Sequence, residues 1–545
     1  MSAAFGRDLE PWIDADLGRT RAGRGRAAAA TANPLASWAA MRILNSGGSA
    51  IDAAIAAQAV LTAVEPNASG LGGGCLILVA KGGEAQNYDG LGAAPAHVTD
   101  RLSRDVDGRS IPAERCDFGG RTVGVPGCLR ALELAHATHG TLPWSRLFDD
   151  AVALCEEGYA LSPYLWRTIN EIPGIKTERM ARSLYCGETG HTLPQGSRLR
   201  NPDLAHTLRQ IARQGATFFY EGALAQEICA AIAADPFPGL LTPHDLAGYQ
   251  AKTRAVAAMR HNDTTLLCGG LPAFGAIAVG QILGVAARHG VTQLGVDMSA
   301  DEIHILVEAN RLAFADRASY AGDPDFTEID VPALLESSYL DARAKMLDPA
   351  RRSEKLTAGA GQDGSMTSHL SIADANGLVV SMTTTINQNF GARIAVGGFY
   401  LNNVLTNFAP NPMENGKPSI NRMAPSKRPR TSIAPIIVLD RDGPLAAIGA
   451  GGGGRIPGYV ANAILRLASG LRDPQAILAA PHALNLAGLA EVEAPLDRHA
   501  ADLSRRGHWV MPRRHDGGTQ AIIRQETGWA AGGDPRRDGV GMGLI

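Results

Sequence analysis

An α+β fold is what this sequence predicts, and three observations predict it. Residues 34–64 read as two helices, the second buried, ahead of an apolar strand, and helical signals dominate residues 127–350. The composition then shifts at residues 353–366, and the remainder is strand-rich. With 545 residues, 45% hydrophobic and 19% charged, the chain can surround a large core with two or more layers.

In order, "PLASWAAMRILNSGGSAIDAAIAAQAVLTAV" gives helix, Gly-Gly break, helix. Ser49 is placed to cap the second helix, whose near-uniform Ala, Ile and Leu predict burial. "EPNASGLGGGCLILVAKGGEAQNYDG" follows as a glycine loop, an apolar strand, a turn and a short strand. "GCLRALELAHATHG" is a helix stopped at Gly140, and "SADEIHILVEANRLAFADRASYAG" is a long segment read as amphipathic. "SEKLTAGAGQDGSM", residues 353–366, has no period and reads as an exposed flexible loop. After it, "SHLSIAD", a turn at "ANG" and "LVVSMTTTI" form a hairpin. "TSIAPIIVLD" and "PLAAIGAGGGG" are further strands, and "PGYVANAILRLASG" is a helix.

A formal net charge of -3 offers no electrostatic attraction for nucleic acid or an acidic membrane. No run is apolar enough to span a bilayer, and the N-terminal stretch lacks the apolar core of a secretory signal, so a cytoplasmic protein is expected. The 7 cysteines form no CxxC pair and read as buried free thiols. Neither HExxH nor a carboxylate cluster with ligand spacing is present, so no metal and no cofactor is expected.

Chemistry concentrates at a few places. Thr367 stands where the glycine-rich loop becomes a strand. If the bond between Met366 and Thr367 is cut, the freed α-amine, with a reference pKa of about 7.7–8.0, lies beside the threonine hydroxyl as a general base. Read alone, Thr367 is more readily a threonine that merely starts a strand. A Ser368–His369 pair is the weaker reading, because neighbours in a strand point to opposite faces. "GAGGGGR", Gly449 to Arg455, offers consecutive N–H groups for an oxyanion or a plain turn. "NASGLGGGC", Asn67 to Cys75, is an anion nest or a connection packed against backbone.

The order of these pieces resembles the γ-glutamyltransferase family of N-terminal-nucleophile hydrolases, which includes glutathione hydrolases and related acylases. The stretches that carry the resemblance are "GGSAIDAAIAAQAVLTAVEPNASGLGGG", "VGVPGCLRALELAHATHGTLPWSRLFDDAVALCEEGYALSP", "RASYAGDPDF", "TSHLSIADANGLVVSMTTTINQNFG", "SKRPRTSIAP" and "GAGGGGRI". It implies a four-layer αββα sandwich formed by two subunits cut from one precursor, here residues 1–366 and 367–545. It makes Thr367 the processing residue and nucleophile, and Thr385 the threonine that hydrogen-bonds it. Asn387 falls on a substrate-binding position, Gly452 and Gly453 on the oxyanion glycines, and Thr431 and Ser432 on a pair that helps hold a glutamyl carboxylate.

Two departures bear on the substrate. Leu91, in "YDGLGAAP", occupies the place of the arginine that grips the glutamyl carboxylate, and Asn407 replaces the aspartate that binds the glutamyl amine. Loss of a bidentate guanidinium contact and a charge pair weakens recognition of a free amino-acid head group. If the acyl group still bears a carboxylate, Arg430 and Arg393 are the cations nearest the site in sequence. The expectation is a self-processing threonine amidohydrolase or acyltransferase. Its partners are a small-molecule amide, water or an amine acceptor, and its own two subunits as a heterodimer. The alternatives are a genuine glutathione hydrolase, a glutaryl- or cephalosporin-type acylase, an oxamate-type amidohydrolase, and an uncleaved binding scaffold.

Overall fold

Two seven-stranded sheets lie face to face, and helices cover the outer side of each. The computed structural model describes residues 22–99, 109, 116–354, 365–414 and 416–544. In chain order the strands of the two sheets are β1 (Ala22–Gly25), β2 (Ala27–Thr31), β3 (Gly74–Lys81), β4 (Glu84–Gly90), β5 (Lys252–Arg254), β6 (Val256–His261), β7 (Thr264–Gly269), β8 (Ser365–Ala373), β9 (Val379–Gln388), β10 (Ile436–Asp440), β11 (Gly443–Gly449), β12 (Gln520–Arg524), β13 (Trp529–Gly533) and β14 (Val540–Leu544). One sheet has the order β14-β2-β8-β9-β3-β4-β5, the other β1-β13-β12-β11-β10-β7-β6. Every neighbouring pair is antiparallel.

The period-two alternation of the strands builds the layers. Leu370 and Ile372 of β8, with Val380 and Met382 of β9, face the helices α1 (Pro34–Asn45), α2 (Ala50–Val64) and α3 (Cys128–His139). Leu266, Ile436 and Ile448 of the other sheet face α4 (Gly275–Arg288), α5 (Ala300–Tyr320) and α6 (Ile456–Ala468). Between the sheets lie Ala28, Ala30, Leu78, Val379, Ile437, Ala447, Ile522 and Ala531. This is the four-layer helix, sheet, sheet, helix sandwich.

Ser49 caps α2 as expected, in a reciprocal arrangement with Asp52, and the helix is buried along its whole length. Helix α5 departs from the amphipathic reading, because every residue from Ile303 to Phe314 is buried. Within it Glu308 pairs with Arg311 and accepts the N–H of Ser353 at 2.9 Å, while the Asn310 side chain is buried without a hydrogen-bond partner. The predicted loop 353–366 lies mostly outside the described residues, and its last two, Ser365 and Met366, already belong to β8. The predicted hairpin is β8–β9, turned by Asp374, whose Oδ1 accepts the N–H groups of Asn376 and Leu378 at 2.8 and 3.0 Å. Among the described residues all cysteines are free, five of them buried and Cys116 and Cys186 half-buried. No described helix is long and apolar enough to cross a membrane.

Pairing between β8 and β2 begins only at Leu370. The first residues of β8 therefore have a strand neighbour on one side only, at the end of the sandwich. The candidate site is built there.

Candidate active site

Thr367 is 2% exposed and lies on the side of β8 that faces the other sheet. Opposite it the ladder slips: Met366 pairs with Asn387 but Ser368 pairs with Thr384, so Thr367 alone faces Thr385 and Ile386. This bulge on β9 turns the Thr385 hydroxyl toward the Met366–Thr367 bond. Thr367 Oγ1 donates to Thr385 Oγ1 at 3.3 Å, and Thr385 Oγ1 donates to the carbonyl oxygen of Met366 at 2.8 Å. The N–H of Asn387 donates to the same Thr385 oxygen at 2.8 Å, so that hydroxyl makes one donated and two accepted bonds, its full complement. Asn387 holds this geometry at φ 82, a conformation uncommon for a non-glycine residue. Its Nδ2 is tied to the carbonyl of Asn403 at 3.1 Å and to Thr406 Oγ1 at 2.9 Å.

Behind Thr367 stands a buried charged cluster that sequence reasoning missed. Arg537 donates from Nη1 to the Thr367 carbonyl at 2.8 Å, where no ladder partner exists, and from Nε to the carbonyl of Asp516 at 3.0 Å. It lies 3.5 Å from Glu65 Oε1 and over the Tyr164 ring at 4.9 Å. Glu65 caps the C-terminal end of α2 and accepts a bond from the Ser368 hydroxyl. Burial raises the Glu65 carboxyl above its usual range, opposed by Arg537 and Ser368.

Ser368 and His369 point to opposite faces. His369 Nδ1 bonds Thr383 Oγ1 at 2.9 Å and Nε2 bonds Ser371 Oγ at 3.0 Å. Burial pulls its pKa down to about 3, so the ring is neutral. A Ser368–His369 pair does not exist.

The glycine runs bring backbone close to this hydroxyl pair. A Cβ on Gly451 would meet the Thr367 carbonyl at 2.1 Å, and one on Gly73 would meet the Thr385 carbonyl at 2.2 Å. The Asn67–Cys75 loop is thus a support packed on backbone: Ala68 and Asn67 carbonyls accept the N–H groups of Ile386 and Phe390 at 3.1 and 3.0 Å.

A narrow cavity opens on Thr367. Thr385, Asn387, Asn407, Thr431, Ser432, Ile433, Gly453, Gly454, Ile456 and Arg317 form its walls. Sequence reading placed most of these together, although they come from distant parts of the chain. Gly453 borders the cavity while Gly452 stands one residue back, at the start of the turn into α6.

Three candidates fall elsewhere. Leu91 is buried in the helix-covered core of the other sheet, its carbonyl held by the Tyr249 hydroxyl at 2.6 Å. Arg393 lies over the Phe118 ring at 4.4 Å and donates to the carbonyl of Pro173 at 2.9 Å, outside the cavity. Arg430 is not a wall either: its Nη1 reaches the carbonyl of Ala318 at 3.3 Å, behind Arg317. The cation that does border the cavity, Arg317, sits in the last turn of α5, at the head of the stretch "RASYAGDPDF" that carries the resemblance, and sequence reasoning missed it as a site residue. Among the described residues no group of three or more potential ligands gathers as a metal site.

Comparison with known proteins gives a consistent family. The Gamma-glutamyltranspeptidase model matches residues 36–544. The acylase ACY 1 proenzyme of Pseudomonas sp. (strain SE83) is 33% identical over 526 residues, covering 93% of this chain and 92% of that protein. The glutathione hydrolase proenzyme of Pseudomonas aeruginosa is 34% identical over 433 residues, 76% of this chain and 75% of that one. Among solved structures, a cephalosporin acylase from Bacillus halodurans superimposes with a TM-score of 0.81 at 27% identity, over 97% of both chains. The chain belongs to the γ-glutamyltranspeptidase family of N-terminal-nucleophile hydrolases.

Proposed function

We propose that this protein cuts itself between Met366 and Thr367 and then hydrolyses or transfers the acyl group of a small amide through an ester on Thr367. The observation that carries this reading is the hydroxyl pair on the Met366 carbonyl. Thr385 donates to that oxygen at 2.8 Å, so its hydroxyl polarises the carbonyl and meets the negative charge that attack by Thr367 Oγ1 develops. Attack breaks the C–N bond, leaves an ester between Met366 and Thr367 Oγ1, and places the proton on the new amine. Water resolves the ester to a Met366 carboxylate and a free Thr367 α-amine.

In turnover that amine takes the Thr367 hydroxyl proton as Oγ1 attacks the substrate amide. The N–H groups of the Gly452–Gly454 turn stabilise the oxyanion, and the amine leaves with the proton. Water, or an acceptor amine, then releases the acyl group.

The acyl group lies outside the standard γ-glutamyl class on this reading. Among the described residues the cavity walls include no aspartate or glutamate to hold an α-ammonium, and Asn407 stands where the resemblance leads one to expect that carboxylate. The similarity to an acylase proenzyme over 93% of the chain supports the same direction. The 34% identity to a glutathione hydrolase favours the second reading, a true γ-glutamyl enzyme. A denaturing gel tests the chemistry: wild type should give two chains, Thr367→Ser two chains more slowly, and Thr367→Ala one inactive chain. Cleavage after Met366 in the alanine variant would refute the assignment. Comparing glutathione with glutaryl, cephalosporin-type and oxamate amides separates the substrate readings.

A further inference from the structure

The Gly452–Gly454 turn and the strand of Thr367 are joined through one short segment, residues 515–518. On one side of that segment the carbonyl of Asp516 accepts the N–H of Arg537 Nε at 3.0 Å, and the same guanidinium donates to the Thr367 carbonyl at 2.8 Å. A Cβ on Gly518 would meet Arg537 Cδ at 2.6 Å. On the other side stands Tyr459, the fourth residue of α6. A Cβ on Gly517 would meet its Cε2 at 3.4 Å, and one on Gly452 would meet the same atom at 2.9 Å. The edge of the ring is therefore wedged between Gly517 and the turn. Gly452 lies there at φ 108, a conformation that glycine takes up without a steric cost.

We propose that Tyr459 and His515 are positioning residues for the oxyanion turn: His515 tethers the Tyr459 ring, and the ring sets the left-handed Gly452 so that the N–H groups of the turn aim at the carbonyl oxygen that Thr367 attacks. This rests on the reading of the turn given above and adds the residues that hold it.

Packing alone would be met by a phenylalanine, but this hydroxyl is hydrogen-bonded to His515 Nδ1 at 2.9 Å, with both side chains excluded from water. Burial pulls the His515 pKa down to about 3 and raises that of the Tyr459 phenol, so both groups stay neutral and the bond persists. The imidazole is fixed in turn. Its main-chain N–H donates to Glu493 Oε1 at 3.2 Å, and Glu493 pairs with Arg536 at 2.6 Å. The His482 ring packs against the Tyr459 ring, with centroids 4.7 Å apart. At the far end of the turn Arg455 makes two bonds to Glu491, at 2.6 and 2.7 Å. Oxyanion donors stabilise a transition state only if they are already in place, so loosening the tether costs rate rather than binding.

The test compares p-nitrophenyl acetate with its thiono ester, in which sulfur, a weak acceptor, replaces the carbonyl oxygen. Both esters are small and activated, so neither depends on recognition of the acyl group. Rates are taken above those of Thr367→Ala and per cut chain, counted on a denaturing gel. In wild type the ratio of kcat/KM, oxygen ester to thiono ester, should exceed the ratio for hydroxide. Tyr459→Phe and His515→Leu should each lower it about 10-fold, through the oxygen ester alone. His515→Asn, whose amide reaches the place of Nδ1, should restore most of it. A merely structural role would lower both rates together and leave the ratio unchanged, and that result in a matured Tyr459→Phe or His515→Leu overturns the proposal. Should one of these two fail to mature, the other decides; if neither matures, the pair serves folding rather than aim, and the proposal falls. A wild-type ratio no higher than that for hydroxide, or a wild type no faster than Thr367→Ala, sinks the reading of the site instead, so the two failures are distinguishable.

Discussion

The two sides of Thr367 treat charge in opposite ways. Behind the strand, Arg537 is surrounded by partners: the Glu65 carboxylate, the carbonyls of Thr367 and Asp516, and the Tyr164 ring. In front, the described residues offer the Arg317 guanidinium a distant ring, Phe314 at 5.8 Å, and the like charge of Arg430. A buried charge that is fully paired holds structure in place, and one left unpaired in a cavity awaits an ion. On the proposed function, the difference separates the scaffold of this site from its binding surface.

Removing the residue between the two sides has the largest expected effect. Thr367→Ala should abolish self-cleavage and turnover together, read as one band on a denaturing gel and no hydrolysis of glutaryl-p-nitroanilide. Next comes the rear side. Arg537→Met leaves Glu65 buried without its partner and should cost about 3–5 kcal/mol of stability, seen as a lower melting temperature and slower maturation. If Arg537→Met melted like wild type, the paired arginine would not be the scaffold described above.

Thr385→Ala removes the bond to the Met366 carbonyl, worth roughly 1–3 kcal/mol in a buried site, and should slow maturation and turnover by about 5- to 150-fold while the fold persists. Wild-type rates in that variant would remove Thr385 from the site.

His369 sharpens the comparison with a neutral buried group. Its folded pKa, about 3, is below the ordinary histidine value of 6.5, so the unfolded chain binds the extra proton between these limits. Its contribution to stability is present above pH 6.5 and is lost as pH falls toward 3, by up to about 1.4 kcal/mol per pH unit. His369→Asn should therefore flatten the acid limb of the stability curve, measured by chemical denaturation from pH 7 to pH 4. An equally steep limb in that variant would contradict the neutral assignment. The smallest effect belongs to Arg393→Ala, which lies outside the cavity and should change the ratio of kcat/KM for glutaryl- and pentanoyl-p-nitroanilide by less than about twofold.

Much of the site was legible because its chemistry is written in short contiguous motifs. The hairpin containing Thr367 and Thr385 follows from alternation and a turn at "ANG", and the glycine run is singled out by its consecutive N–H groups, while its packing on the Thr367 carbonyl is seen only in the structure. What was not legible depends on contacts between distant segments. Arg393 and Arg430 were chosen for nearness in sequence, yet the cavity takes its cation from the end of α5. Leu91, expected from the resemblance to stand in the place of a substrate arginine, packs into apolar core. Glu65 and Arg537, near opposite ends of the chain, meet because β8 loses its β2 neighbour before Thr367, leaving a carbonyl to be satisfied. The bulge on β9 has no sequence signal, since "TTTIN" reads equally well as a regular strand.

The central claim is that Thr367 is both the new N-terminus and the atom that carries the acyl group. Mass spectrometry of wild-type protein, acid-quenched during turnover of glutaryl-p-nitroanilide, tests both at once. The account predicts a fragment spanning residues 367–545 that carries one glutaryl ester on its first residue. A chain that stays whole, a different new N-terminus, or an adduct on any other residue would contradict it.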